Sequence, residues 1–241
     1  MKPAFPLAVT ASLAAVLAIG ASAHAGNPNV IVPADATTSA AYRYADMSKE
    51  ACMKELEDRK IPHSPAGALE GVDAPVRVSG PIHGVSFEQV NRSNEESLNS
   101  DTSVLDCRLL LGIDDFTEQL VEQGIEKVGY IGAYRHEEGV IAPGERHPSG
   151  LAIDIAWVQK RDGTRLEVQR DFEGHIGAKT CGRGAQVPAR TATAARELRK
   201  IVCDAASMRI FNLVLTPNYD QGHYNHVHLE VRRNIRWFLV Q

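Results

Sequence analysis

The sequence predicts a single α+β domain in which a small, mostly antiparallel sheet has helices packed on one side. Three observations support this prediction. Two segments have apolar residues at helical spacing. Several short segments either alternate apolar and polar residues or are continuously apolar, as strands are. An Asp-Gly pair between two of these short segments is typical of a β-hairpin. The chain has 241 residues without internal repeats, which is enough for one domain with a sizeable core.

The first 25 residues have the pattern of a secretory signal peptide. Lys2 precedes an apolar segment, 7–19, and small-residue cleavage options end at Ala23 and Ala25. This apolar segment is too short to cross a membrane, so we expect no membrane insertion and a mature protein that is periplasmic or secreted. No cysteine follows the cleavage options, so no lipid anchor is expected there.

After cleavage, residues 26–44 show no periodicity and are predicted to form a flexible leader before the domain, 45–241. The mature chain has a net charge of −5, because cleavage removes one basic residue from a total charge of −4. This charge argues against a nucleic-acid partner and against electrostatic docking on an anionic membrane. We expect the protein to be a monomer.

The four cysteines of the chain are an even, dispersed set, which in an oxidising compartment predicts two disulfides. Three connectivities are possible. We favour Cys52 with Cys107 and Cys181 with Cys203, because each pair joins a helix to a neighbouring loop. The alternative is that some cysteines bind zinc, but they lack the spacing of zinc ligands.

The first half of the domain is predicted to be rich in loops. Residues 47–56 favour a short helix that ends before the Ile-Pro pair at 61–62. Residues 65–81 read as loop, with an edge strand at 76–78. The polar segment 91–102 is predicted to be an exposed loop.

The second half is predicted to hold the main helices and most of the sheet. Apolar residues at helical spacing from Leu109 onward predict a helix that stops at Gly124 and covers one face of the sheet, and a second helix is predicted over 195–205. The predicted strands are 127–134, 151–158, 164–168, 210–215 and 224–231. An Arg-Asp-Gly turn at 161–163 joins two of them as a hairpin.

Two separated clusters contain the residue types of a zinc site. His147 and Asp154 flank a glycine-containing turn, and Asp154 lies inside an apolar strand, where a carboxylate needs a partner. His226 and His228 are two residues apart in another predicted strand, so both side chains should leave the same face. Two adjacent strands would bring His147, Asp154 and one or both of these histidines to a single ion at one end of the sheet. A catalytic zinc typically has three such ligands and leaves the fourth position to water.

With these residues the chain resembles a known superfamily. The pattern of His, six residues, Asp and a distant His-x-His is similar to that of the zinc peptidases that include D-alanyl-D-alanine carboxypeptidases and lysostaphin-like endopeptidases, together with the hedgehog signalling domain. More closely, the chain resembles the extensin-like C-terminal domain of bacterial exported proteins. The segments that carry this resemblance are 52–56, 73–78, 130–135, 147–156, 211–219 and 228–230.

The resemblance implies a role for each residue of the motif. His147, Asp154 and His228 would bind Zn²⁺, and His226 would sit beside the metal-bound water and handle its proton. Arg135 would stabilise the developing oxyanion, although a salt bridge to Asp154 or to the nearby loop is an equal alternative.

The sequence departs from the superfamily pattern at two positions, so more than one function is compatible with it. Glu145 stands where a serine is common, and Asn225 stands where an acidic residue often acts as the base. The first function is an exported zinc-dependent peptidase, carboxypeptidase-like or endopeptidase-like, that hydrolyses amide bonds in peptidoglycan peptides. The second, which the departures favour, is a non-catalytic zinc-containing domain that binds or scaffolds the cell wall. A metal-free adhesion domain is the third.

Other residues near the motif have ordinary interpretations. The charged loop 136–145 is expected to be solvated rather than catalytic. His223 is expected at the rim of the site, with a fourth-ligand role as the alternative. Trp157 and Trp237 are expected to lie in the core rather than to stack on sugars, because their neighbours are apolar.

Overall fold

The computed structural model describes residues 27–136 and 146–241. The predicted signal peptide and Glu145 lie outside these ranges. The described residues form an α+β fold with a mixed sheet of eight strands, a second sheet of three strands and six α-helices. No helix among them is both long enough and apolar enough to span a membrane.

The helices begin and end close to their sequence signals. Ser48 caps the first long helix by accepting a hydrogen bond from the Ala51 N–H, and the helix of residues 107–122 ends just before Gly124, whose φ is 76°. Both long helices predicted in the second half of the chain are confirmed. The helices are α1 (Ala40–Ala45), α2 (Lys49–Asp58), α3 (Asn94–Leu98), α4 (Cys107–Glu122), α5 (Val168–Asp171) and α6 (Thr193–Ser207).

The strands of the small sheet run in the order β2-β3-β5, and those of the main sheet in the order β1-β11-β9-β10-β7-β6-β4, with β8 paired to the second half of β7. Five pairings in the main sheet are antiparallel, whereas β4 with β6 and β9 with β11 are parallel. The strands are β1 (Val30–Ile31), β2 (His63–Pro65), β3 (Pro75–Val78), β4 (Ser86–Gln89), β5 (Leu105–Asp106), β6 (Ile125–Tyr130), β7 (Ala152–Lys160), β8 (Arg165–Glu167), β9 (Leu213–Leu215), β10 (Val227–Glu230) and β11 (Phe238–Val240).

The main core lies between one face of this sheet and the helices. Helix α4 is buried on most of its surface and packs against α1, α2, α6 and β6. Phe116 of α4 meets Phe211 edge to face, with ring centroids 5.8 Å apart. The prediction of an α+β domain with a mostly antiparallel sheet is therefore confirmed. The sheet is larger than predicted, because short strands at both ends of the domain join it.

A β-bulge in β7 decides which side chains leave the sheet on the face opposite the helices. The pairing of β6 with β7 skips Ala156, since Tyr130 pairs with Ile155 and Gly129 with Trp157. Side chains alternate along a strand, so the extra residue places positions on either side of the bulge out of phase. Val158 consequently packs in the helix-side core, whereas Asp154, an even number of residues away, faces the opposite side.

Both predicted disulfides are present. Cys52 of α2 is bonded to Cys107 at the start of α4, and Cys181, in the loop before α6, is bonded to Cys203 within that helix. The described residues contain no free cysteine, so none is left to bind a metal.

The structure differs from the sequence-based predictions in three segments. The described part of the predicted leader, from residue 27, contains β1, which pairs with β11, and α1, whose Tyr42 is buried against Phe238. Residues 76–78 were predicted as an edge strand, but β3 is the central strand of the small sheet. The predicted loop 91–102 contains α3, whose Ser93 and Glu96 form a capping box.

We expect the two disulfides to stabilise the fold unequally. A disulfide constrains the unfolded chain more strongly when its two cysteines are farther apart in sequence. This separation is 55 residues for Cys52–Cys107 and 22 residues for Cys181–Cys203. Replacing each pair with alanines should lower the free energy of unfolding by about 4 and about 3 kcal/mol respectively. Urea unfolding of the two double variants would test this order. Free thiols in the denatured, unreduced protein would contradict the pairing itself.

Candidate metal centre

The antiparallel register of β7 and β10 sets Asp154 directly opposite His228. The residues that flank each of them on its strand, such as Ile155 and Leu229, pack in the helix-side core. Since side chains alternate, Asp154 and His228 both leave the sheet on the opposite face. Two of the predicted ligands therefore share one face because of strand pairing.

His147 reaches the same point from the turn that precedes β7. It opens a short 3₁₀ turn, His147–Ser149, that ends at Gly150 with φ of 64°. A side chain at Gly150 would lie 2.7 Å from the backbone nitrogen of Asp106, so glycine is required here by both conformation and space. This tight turn folds His147 back over the start of the strand that carries Asp154.

One carboxylate oxygen lies at the centre of the group. Asp154 Oδ1 is 3.2 Å from His147 Nε2, 3.0 Å from His228 Nδ1 and 3.4 Å from His226 Nε2. The candidate ligand atoms of His147, Asp154 and His228 lie within 4.8 Å of one another, and all three residues are buried. Within the described ranges this is the one cluster of three or more His, Cys, Asp or Glu with such geometry.

The outward-facing nitrogens of the two candidate ligand histidines are held by acceptors. His147 Nδ1 donates to the carbonyl oxygen of Ala133 at 2.6 Å, and His228 Nε2 donates to Glu230 Oε2 at 3.1 Å. These bonds leave His147 Nε2 and His228 Nδ1 turned towards Asp154. Histidines that bind metals are typically oriented in this way, by a carbonyl or carboxylate on the other ring nitrogen.

Glu230 is a site residue that the sequence reasoning missed. It is fully buried, and its second carboxylate oxygen accepts a hydrogen bond from the Arg146 N–H at 3.3 Å. Arg146 has φ of 54°, a backbone conformation that is strained for a residue with a side chain. Glu230 therefore joins the strand of His228 to the turn of His147. The sequence feature that could have identified Glu230 is its position two residues after His228, which places both side chains on the same face of the strand.

Burial and neighbouring charges strongly shift the pKa values of Asp154 and His228. Burial raises the pKa of Asp154, but hydrogen bonds with His147 and His228 outweigh it and hold that pKa well below its ordinary range. Burial lowers the pKa of His228, but its hydrogen bonds with Asp154 and Glu230 outweigh it and raise that pKa to about 9. The buried charge of Asp154 thus depends on the imidazoles around it.

His226 lies beside the group but not in the strand predicted for it. β10 begins at Val227, so His226 belongs to the preceding loop, and its approach to Asp154 comes from the loop and not from a shared strand face. His226 Nδ1 donates to the side-chain oxygen of Asn225 at 2.9 Å, which leaves Nε2 directed at the site. Burial lowers the pKa of His226 to about 4, against the opposing charge of Asp154, so this imidazole is neutral at neutral pH.

His223 and Arg135 complete the surroundings of the group. The His223 ring is 5.1 Å from that of His226, and its Nδ1 donates to Asp220 Oδ1 at 2.7 Å. Arg135 donates to Asp154 Oδ2 at 3.2 Å while its side chain stays half exposed. The salt bridge considered for Arg135 is present, and the residue also lies at the open edge of the site.

The other residues singled out in the sequence lie away from this group. Trp157 is buried beneath the guanidinium of Arg165, which is 3.9 Å from the ring centroid. Trp237 packs against a cluster of leucines on β9 and β11. Of the charged loop 136–145, only residue 136 is described, and it is exposed.

A comparison with protein families identifies the family of the chain. The family model described as "Extensin-like protein C-terminus" matches residues 50–239, which include every strand and turn of the site. The chain belongs to this family. No curated protein and no solved structure matched the chain in the corresponding comparisons. The extensin-like assignment therefore rests on most of the chain, from α2 to β11.

We predict that His226 and His228 titrate on opposite sides of the ordinary histidine pKa of about 6.5 in protein treated with a chelator. NMR of the imidazole signals should give a pKa of about 4 for His226 and about 9 for His228. The free energy of unfolding should therefore depend on pH through both residues. The low pKa of His226 should decrease this free energy as the pH falls from about 6.5 towards 4. The stabilising contribution of His228 should be lost as the pH rises from about 6.5 through 9.

His226→Gln and His228→Gln would assign the two signals. Two curves that coincide near the ordinary value would contradict the environments described for the two rings.

Proposed function

We propose that this extensin-like domain is an exported zinc-dependent peptidase that hydrolyses amide bonds in peptidoglycan peptides. The observation that carries the proposal is the buried cluster of His147, Asp154 and His228, in which both histidines have their outer nitrogens anchored. An anchored ring has its other nitrogen directed inward before any ion arrives. Such preorganisation favours metal binding over a purely structural ion pair.

The donor set fits zinc better than the common alternatives. Two imidazole nitrogens and one carboxylate oxygen suit zinc, whereas magnesium and calcium prefer oxygen ligands throughout. Ligand atoms about 2.1 Å from a tetrahedral zinc lie roughly 3.4 Å from one another. The separations of Asp154 Oδ1 from His147 Nε2 and His228 Nδ1, 3.2 and 3.0 Å, are close to this value.

Three protein ligands leave one coordination position for chemistry. A bound zinc ion polarises a carbonyl group and lowers the pKa of water towards about 7. His226 would accept the proton of the attacking water, because its Nε2 faces the site and its low pKa keeps it neutral. Asn225 would position this base by accepting a hydrogen bond from Nδ1–H, so the amide at 225 orients His226 and does not replace it as the base.

Two further residues extend this assignment. Arg135, at the exposed edge of the site, would stabilise the negative charge that develops on the substrate oxygen. The His223 ring lies near His226 and is oriented by Asp220, so it offers a second imidazole to a proton that leaves His226. Both roles need a substrate that reaches the group from the face of the sheet opposite the helices.

The sequence supports the proposed substrate and compartment. The resemblance to the zinc peptidase superfamily points to peptides of the bacterial cell wall, and the predicted signal peptide points to the periplasm or the medium. The acidic mature chain argues against nucleic acids as partners. We propose that the domain acts as a monomer on peptidoglycan.

A non-catalytic zinc domain that binds or scaffolds the cell wall is the second candidate. The observation that favours it is Asn225, since an amide cannot take up a proton where related peptidases use an acidic residue. The salt bridge of Arg135 with Asp154 also supports it, because a guanidinium held by a ligand is less available to a substrate. Hydrolysis of peptidoglycan peptides by the purified protein distinguishes these two candidate functions.

We expect the purified mature protein to hold about one zinc per chain. His147→Ala should lose most of the metal, and Glu230→Gln should weaken zinc binding by about 10- to 100-fold, the usual effect of removing an acceptor behind a ligand histidine. Elemental analysis and competition with a zinc chelator would measure both. Glu88→Gln, which alters a surface pair with Lys127, is the matched control and should bind zinc like the wild type. Zinc-free protein, purified without chelators, would contradict the proposed metal.

His226→Ala should keep zinc and fold but lose about 10²- to 10⁴-fold in turnover, because it removes the proton acceptor. Mass spectrometry of peptides released from purified peptidoglycan would measure the loss. His63→Ala is the matched control, since the His63 side chain donates to the Ile61 carbonyl and lies on the small sheet, outside the candidate metal centre. If the wild type binds zinc but releases no peptide, the scaffold function replaces the peptidase.

A further inference from the structure

A second cavity lies away from the candidate metal centre, between the main sheet and the small one. It has a volume of about 350 Å³ and is bordered by β3, the edge strand β4 and α3. Its size is within the range of small-molecule sites in proteins. Tyr130, which lines it, packs with the helix-side core, whereas Asp154 leaves the other face of the sheet. The cavity and the metal centre therefore lie on opposite faces.

Tyr130 lines this cavity and brings a polar group to it. The residue as a whole is only 8% exposed. Its hydroxyl makes no hydrogen bond to any residue in the described ranges, and it is not one of their fully enclosed polar atoms, so it is accessible from the cavity. The hydroxyl is therefore a donor available to a ligand in the cavity.

Arg77 adds a cation to the same wall. Its side chain is 16% exposed, and the nearest carboxylate, on the exposed residue Asp101, is 3.9 Å away. Its Nε donates to Ser103 Oγ at 3.3 Å, and among the described residues no other hydrogen bond of its guanidinium is found, which leaves N–H donors for a ligand. Glu88, the acidic residue in the lining, is held by Lys127 at 2.9 Å. Of the two charged lining residues, Arg77 therefore has the longer ion pair.

The rest of the lining is partly apolar. Val78 and Phe87 pack at the edge of the core, and Leu98 of α3 is 49% exposed beside them. A ligand that satisfies both parts of the cavity has an anionic group for the guanidinium and a small apolar substituent. A carboxylate matches the two-pronged geometry of an arginine.

We propose that this cavity binds small carboxylate ligands, such as the C-terminus of a short peptide, with Arg77 paired to the carboxylate and the Tyr130 hydroxyl donating to it. The apolar substituent of the ligand lies against Phe87 and Leu98. This site is separate from the proposed peptidase centre and does not depend on its metal.

The test uses N-acetyl-alanyl-alanine and its C-terminal amide, titrated into the ¹⁵N-labelled mature protein. We expect the acid to shift the backbone amide signals of Gly80, Ser86 and Ser103, and the amide form to bind at least about 10-fold more weakly, because it lacks the charge. His147→Ala should bind the acid equally well. This arm separates the cavity from a carboxylate bound at the metal centre.

Variants of the cavity sharpen the test. Arg77→Gln should weaken binding about 10-fold, and Tyr130→Phe, which keeps the ring in the core, should weaken it several-fold. Arg165→Gln is the matched control, since Arg165 stacks on Trp157 outside the cavity. Circular dichroism would confirm that each variant is folded.

Four results would overturn the proposal. They are equal affinity for the acid and the amide, no saturable binding of the acid, shifts confined to residues around Asp154, or wild-type affinity in both folded cavity variants. Stronger binding of inorganic phosphate than of the acid would also overturn the carboxylate assignment.

Discussion

The buried carboxylate of Asp154 is the constraint on which the site depends. A charge taken out of water is costly unless it is paired and hydrogen-bonded. Oδ1 meets nitrogens of His147 and His228 and Oδ2 meets Arg135, so both oxygens have partners, and neutral His226 lies beside them. These partners come from three parts of the chain, which are the segment after β6, the turn before β7, and β10 with the loop that precedes it. The fold must therefore hold two strands, a turn and a loop in fixed relation before the carboxylate is tolerated.

The main sheet fixes these positions because one of its faces packs against the helices and the other carries the candidate metal centre. The helix-side face carries the core around α4 and α6, which fixes the register of β7 and β10 through residues such as Ile155 and Leu229. A one-residue slip would expose this whole set, so the register is strongly specified. The bulge at Ala156 then keeps Asp154 on the other face. Core packing and site geometry are in this way set by the same strands.

Much of the local structure could be predicted from the sequence because its causes are local. The Asp-Gly turn between β7 and β8 and the stop at Gly124 follow from backbone preferences of single residues. The helix α3 was also within reach, since Ser93 and Glu96 have the spacing of a capping box. The strand β1 was not, because two residues in an unpatterned segment acquire a strand conformation only through pairing with β11.

By itself, the sequence determined the α+β class and the presence of two disulfides, and it grouped His147 and Asp154 with His226 and His228, because periodicity, cysteine number and motif spacing are properties of the chain. Only the tertiary structure decided which atoms meet. The carbonyl of Ala133 and the carboxylate of Glu230 orient the two histidines, and Asn225 orients His226. Hydrogen bonds are short-ranged and directional, so the partners of a side chain depend on strand register and turn geometry, which the spacing of residues along a chain does not specify.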